Sequence, residues 1–234
     1  ETKTVIFDTE APTLALAGTI PGGVSGNLCK SAATAAPGEA SIAALYTDNF
    51  SAVTATLISS SVTGTDCSWT AAYTYTVTDD CGNATNTTAQ FIIIDTVDPS
   101  IDTAPQDETV ECDGTGNDAQ LQAWLTANGN AVATDDCGTI TWTNDYSTLS
   151  DDCGVTGTTS VIFTATDDCG NVTTASANFT IEDTNAPDIT TQATDLNLEC
   201  DAVNQDAAIQ TWLTANGNAI ASDVCGAISW GNDY

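Results

Sequence analysis

The sequence predicts an all-β fold, built as tandem β-sandwich modules that each carry one short inserted helix. Three observations predict it. The chain repeats itself at an interval of 88 residues: 110–146 returns at 198–234 without a gap, and 23 of the 37 positions are identical. Segments rich in Thr, Val, Ile and Phe come in pairs around a short polar turn, as hairpin strands do. A module of this size suits a small sandwich and leaves room for little else.

The elements follow in chain order. Residues 1–7 read as the strand tail of a preceding repeat, 8–94 as one repeat, 95–182 as a second and 183–234 as part of a third. Each repeat opens on a related linker: DTEAP at 8–12, DTVDP at 95–99 and DTNAP at 183–187. Both chain ends thus read as falling inside modules, which predicts a window of a longer array. In the first repeat AYTYTVTDD (72–80) and TTAQFIIID (87–95) form a hairpin, and TSVIFTATD (159–167) with VTTASANFTIED (172–183) form its counterpart. ITWTN (140–144) alternates and puts Trp142 on one face, a core position in Ig-like sandwiches. The modules are therefore read as Ig-like.

The inserted helix is written in NDAQLQAWLTANG (117–129). Asn117 or Asp118 is the expected cap, and Leu121, Trp124 and Leu125 make one apolar stripe. Asn128-Gly129 supplies a left-handed stop. The third repeat keeps the pattern with Ile209, Trp212, Leu213 and Gly217, whereas 37–49 of the first repeat is shorter and lacks the Trp.

Composition excludes whole classes of function. There are 32 acidic residues, two lysines (Lys3 and Lys30), no histidine and no arginine, for a net charge of −30. Such a chain repels nucleic acid and anionic lipid and stays open to divalent cations. Without His there is no Ser-His or Cys-His pair, and without Arg no guanidinium clamp. Paired carboxylates could serve a glycosidase, but small tandem modules rarely form the deep cleft it needs. No enzyme is expected. No run of 18 apolar residues is present, so no membrane-spanning helix is expected.

The motif DDCG occurs at 79, 135, 151 and 167. The nine cysteines show no CxxC spacing, which speaks for disulfides in an oxidising compartment over zinc. The second repeat holds Cys112, Cys137, Cys153 and Cys169; the first holds Cys29, Cys67 and Cys81, with Phe50 aligned to Cys137; the third holds Cys200 and Cys225. Four cysteines leave three pairings open.

The DTxAP opening, the TATDDCGN hairpin and the FTIED exit resemble hyalin-repeat and related Ig-like modules. The segment VECD…AWLTANGNA…DDCG…TWTNDY is similar to repeats of giant Bacteroidota surface adhesins, of the gliding-motility type exported by type IX secretion. The resemblance implies an extracellular, cell-surface filament or stalk, structural and adhesive, with a surface polysaccharide or other extracellular ligand and the neighbouring repeats as partners. A carbohydrate-binding accessory array of a secreted enzyme, and a self-assembling fibre or sheath subunit, are the alternatives. On an Ig-like path the loops holding Cys137 and Cys169 share one end of the sandwich. That favours Cys137–Cys169 with Cys112–Cys153, and Cys29–Cys67 in the first repeat. Cys81, Cys200 and Cys225 are then left without partners.

The same end gathers carboxylates. Asp95, Asp98, Asp135, Asp136, Asp167 and Asp168 are candidate ligands for Ca²⁺, with Asp95, Asp98, Asp136 and Asp168 foremost; solvated loop charges are the competing reading. The DTNAP linker also looks like cadherin linkers, where calcium stiffens the joint. Thr96 and Thr103, in Asp-Thr-aliphatic tripeptides, are candidate O-glycosylation sites of the Bacteroidota type. Asn49, Asn83, Asn86, Asn171 and Asn178 lie in sequons that matter only in a host with N-glycosylation.

Overall fold

A computed structural model describes residues 7–15, 18–26, 28–33, 35–150, 154–199 and 204–234. The fold is all-β and Ig-like, with short helices. It divides into two compact units: Glu1–Ser100 with Ala133–Thr141 and Ala165–Thr173, and Ile101–Val132 with Trp142–Thr164 and Thr174–Tyr234. The units do not follow the borders of the sequence repeats. Two loops of the second repeat, 133–141 and 165–173, fold with the first unit.

The first unit contains β1 (Thr13–Leu14), β2 (Gly22–Gly26), α1 (Glu39–Ala43), β3 (Tyr46–Thr47), β4 (Val53–Thr65), β5 (Ser68–Asp79) and β6 (Ala84–Ile94). Its sheet has the order β2-β6-β5-β4, with β2 parallel to β6 and the rest antiparallel. β5 shows why these residues form a half-buried strand. Trp69, Ala71, Tyr73, Tyr75 and Val77 point inward at every second position, and the residues between them face outward. The inward face packs against Ile42 of α1, with Leu45 and Tyr46 at its edge. So the first repeat does hold a helix in its shorter segment without the Trp, one of only five residues. The Trp69 indole donates to the Leu28 carbonyl at 2.7 Å, and the Tyr75 hydroxyl donates to the Pro37 carbonyl.

Further along come β7 (Ser100–Thr103), β8 (Glu108–Glu111), α2 (Asp118–Thr126), β9 (Val132–Thr134), β10 (Thr141–Asn144), β11 (Gly157–Thr166) and β12 (Val172–Glu182). The order β10-β11-β12-β8 repeats the earlier sheet, again with a parallel first strand, β8 beside β12. β13 (Asp188–Thr191), α3 (Gln205–Thr214) and β14 (Ile220–Ser222) complete the chain, with β13 pairing β14 and β7 pairing β9.

In the second unit α2 lays Leu121, Trp124 and Leu125 on Val161, Phe163, Phe179 and Ile181. The Trp124 ring meets Phe163 edge-on at 5.2 Å and Phe179 at 5.5 Å, and its N–H donates to the Gln106 carbonyl at 2.9 Å. Trp142 packs at the border of this core rather than in its centre. The helix stop is as read: Asn128, Gly129 and Asn130 are all left-handed, at φ of 54°, 62° and 64°. The start is not. Asn117 is left-handed (φ 53°), fully buried, and makes no capping bond. Its side chain turns back instead, donating to the Glu111 carbonyl at 2.9 Å and accepting from the Asp113 N–H at 3.1 Å. It ties the end of β8 to the helix.

Candidate joint and cation site

The sheet of the first unit ends, at the β4–β5 turn, in Asp66 and Cys67. Lys30 locks the neighbouring segment onto that turn: its N–H donates to Asp66 Oδ1 and its ammonium to the Gly64 carbonyl, both at 2.7 Å. This places Cys29 and Cys67 at one end of the sheet. The loops 133–141 and 165–173 meet them there. Cys29 is disulfide-bonded to Cys137 and Cys67 to Cys169, with Cα separations of 5.0 and 4.9 Å. In the second unit Cys112 is bonded to Cys225.

The pairing expected from the Ig-like path is thereby corrected. Its premise holds, because the two loops do share one end: Asp168 accepts from the Thr139 N–H at 3.1 Å and its hydroxyl at 2.9 Å. Yet Cys137 and Cys169 do not pair with each other. Each sits on an Asx turn, its N–H donated to Asp135 Oδ1 (2.8 Å) or Asp167 Oδ1 (2.7 Å), and each bonds a cysteine of the preceding repeat. The Cys29–Cys67 and Cys112–Cys153 pairs give way accordingly, and Cys225 has a partner. Cys81 is free and exposed. Cys153 and Cys200 lie outside the described residues. Every described disulfide joins one sequence repeat to the next.

Beside these staples lie carboxylates. Asp95, Asp167 and Cys169 present ligand atoms within 4.8 Å of one another. Cys169 is oxidised, so only oxygens can serve. Asp95 is 6 % exposed and Asp167 5 %, and Asp95 Oδ2 is buried with no hydrogen-bond partner. Asp95 Oδ1 accepts from the Val97 N–H at 3.1 Å. Burial pushes the Asp167 pKa up, but bonds from the Asn171 amide and from the N–H groups of Asn171, Cys169 and Gly170 outweigh it, and the net shift is downward. An ionised carboxylate thus stands beside a buried oxygen that nothing satisfies. Such an arrangement suits a hard cation held by oxygens.

The other expected ligands are not gathered into this group. Asp98 accepts from the Val172 N–H at 3.2 Å, and Asp168 is spent on Thr139. Asp135 closes the Cys137 turn, and Asp136 is exposed. A second cluster, absent from the expected set, is Asp8, Asp48 and Asp79, also within 4.8 Å, with Asp8 Oδ2 buried and unpartnered. The repeat offset could have found it: Asp8 aligns with Asp95, Asp48 with Asp135 and Asp79 with Asp167. At the third linker, Asp183 and Asp223 both lie beside Gly226.

Thr96 and Thr103 are both exposed, Thr103 at the end of β7. Asn83 and Asn171 commit their amides to Asp79 (2.9 Å) and Asp167 (2.8 Å), so a glycan at either would dismantle the turn.

No known family model matches the sequence, and no curated protein does. Among solved structures the chain is similar to human CDH23 EC21-23 (14 % identity, 58 % of this chain and 51 % of that one, TM-score 0.31). It is similar to Drosophila N-cadherin EC1-4 (14 %, 79 % and 54 %, TM-score 0.27) and to mouse PcdhgC3 EC1-3 (12 %, 59 % and 50 %, TM-score 0.25). The chain spans about half the length of each of these. Similarity at this level carries no information about ligand, partner or activity.

Proposed function

We propose that the chain is a structural and adhesive segment of an extracellular tandem-repeat filament on a cell surface, of the giant Bacteroidota adhesin type. Three disulfides agree with an oxidising compartment, and no described helix is long and apolar enough to cross a membrane. One observation carries the reading: every described disulfide runs from one repeat to the next. Staples within a module would only stabilise that module. Staples between sequence repeats tie each repeat covalently to the next, so that tension passes between them. The gliding-motility role and a surface-polysaccharide ligand rest on the sequence resemblance. The carbohydrate-binding alternative finds no aromatic platform at Trp69 or Trp124, which are buried, or at Trp142, which packs on the core, whereas Trp230 is exposed.

The test is force-extension of the intact chain held by its ends. The overlapping staples 29–137, 67–169 and 112–225 leave a short covalent path. Oxidised chain should stretch to about 20 nm, against about 80 nm after reduction. Equal lengths before and after reduction would remove the basis for this function.

The joint also fits calcium, and we assign Asp95 and Asp167 as the side chains that would hold it. The cation would cancel charge that the joint otherwise concentrates, and so stiffen the seam between repeats.

A further inference from the structure

We propose that the loop end carrying Cys81 and Phe50 is the receiving face of a further joint, and that Cys81 takes a disulfide from the Cys67-type turn of another repeat of this kind. The proposal rests on the joint reading above and extends it to a surface that no described residue covers.

The Cys81 loop repeats the turn bonds of the Cys169 loop. The Cys81 N–H donates to Asp79 Oδ1 at 2.9 Å, as Cys169 does to Asp167 at 2.7 Å. The Asn83 amide reaches Asp79 Oδ2 at 2.9 Å, as Asn171 reaches Asp167 at 2.8 Å. Gly82 and Gly170 adopt φ of 91° and 90°. What differs is occupancy: Cys169 is bonded to Cys67 of the repeat before it, and Cys81 is free.

The companion loop makes the same point independently. Cys137 and Cys225 occupy equivalent turns and are 2 % and 6 % exposed beneath their joints. Phe50 occupies that turn in the first repeat, its N–H donated to Asp48 Oδ1 at 2.9 Å, and it is 61 % exposed. The two loops are adjacent, since the Asp80 N–H donates to Ser51 Oγ at 3.2 Å. A large aromatic at a position that is buried in both other joints is an uncovered contact, not a solvent-facing residue by design. Residue 50 cannot form the second staple, so this joint would have one disulfide and one apolar plug.

Geometry makes the arrangement directional. Cys67 and Cys81 flank β5, a 12-residue strand, so a repeat offers its Cys67 turn from one end and receives at the other, roughly 40 Å away. A repeat that both offers and receives propagates head to tail. The chemistry balances with a disulfide oxidant such as oxidised glutathione. The incoming thiolate displaces one glutathione thiol, and Cys81 then displaces the second. Two protein thiols lose two electrons and two protons to one oxidant disulfide.

The test extends the intact chain at its N-terminus with a copy of residues 8–87, so that residues 1–7 complete the added repeat in register. The copy carries Cys81→Ser so that only one Cys81 remains. After refolding in a glutathione redox buffer, non-reducing peptide mapping should show a Cys67–Cys81 linkage. Maleimide labelling of Cys81 in denatured, unreduced protein should fall at least about tenfold relative to the unextended chain. Cys67→Ser in the copy should restore labelling, and Phe50→Cys should add a linkage from position 50 to the copy's Cys29. Quantitative labelling of Cys81, or its capture by glutathione alone, would overturn the proposal. Loss of the Cys67–Cys169 linkage counts against it equally, because an in-register neighbour should not disturb the joint beyond.

Discussion

Asp95 and Asp167 are two carboxylates buried within 4.8 Å of each other, one of them with an oxygen that bonds to nothing. Uncompensated, this is a repulsive contact at the place where two repeats meet. Millimolar calcium should therefore raise the melting temperature. Binding to the folded state alone is worth about 2.7 kcal/mol at a hundredfold excess over Kd. Asp95→Asn combined with Asp8→Asn should abolish most of that gain, since each removes the orphaned oxygen of one cluster. If melting is the same in calcium and in chelator, the carboxylates are not a cation site.

Asp79 and Asp167 also make a prediction about acid. Burial pushes both pKa values up, but the Asn83 and Asn171 amides and the surrounding N–H groups bring them below the ordinary value. A folded-state pKa below the unfolded one, about 3.9, stabilises the protein above that pH and loses the contribution as pH falls through the folded value. In chelator, stability should be flat near pH 5–6 and drop below about pH 4. The double variant Asp79→Asn with Asp167→Asn should have a shallower acid limb in thermal melts across that range. Superimposable acid limbs would show that the turns do not depend on ionised aspartates.

At the scale of elements, strands were the most legible. β5 and β12 announce themselves because alternate side chains face a core and water in turn, and that period of two survives in sequence. The α2 stripe of Leu121, Trp124 and Leu125 was legible for the same reason at its own period. The start of α2 was not, because Asn is both a good cap and a good left-handed residue, and only the packing decides between them. Asn117→Ala should cost about 1–3 kcal/mol by orphaning the Glu111 carbonyl, with added strain at φ 53°. Asp118→Ala should change stability by no more than about 0.5 kcal/mol. Urea unfolding of the two variants separates these. An Asp118 effect as large as that of Asn117 would reinstate the conventional cap.

Over the whole molecule, the staples govern stability. Peptide mapping should return Cys29–Cys137, Cys67–Cys169 and Cys112–Cys225, whose loops span 108, 102 and 113 residues. Closures this long restrict the unfolded chain strongly, at about 2–4 kcal/mol each, so full reduction should lower the melting temperature by roughly 15 °C or more. A Cys137–Cys169 peptide would restore the arrangement expected from the Ig-like path and remove the inter-repeat joint.

By itself the sequence determined the repeat, the all-β class, the inserted helix, disulfides in preference to zinc and a charge that turns away nucleic acid. These are local or compositional properties, set by side-chain period and by which residue types are present. Tertiary structure alone decided which cysteine meets which, and which aspartates converge. Cys137 and Cys169 lie on adjacent loops, as the sequence path implied, but adjacency of loops does not set the partner of a side chain. The sheet end formed by Lys30, Asp66 and Cys67 lies about a hundred residues away in the chain, and it alone brings Cys29 and Cys67 within bonding distance of those loops. Asp95 and Asp167 meet for the same reason, because the closing linker and the hairpin turn are folded onto that end together.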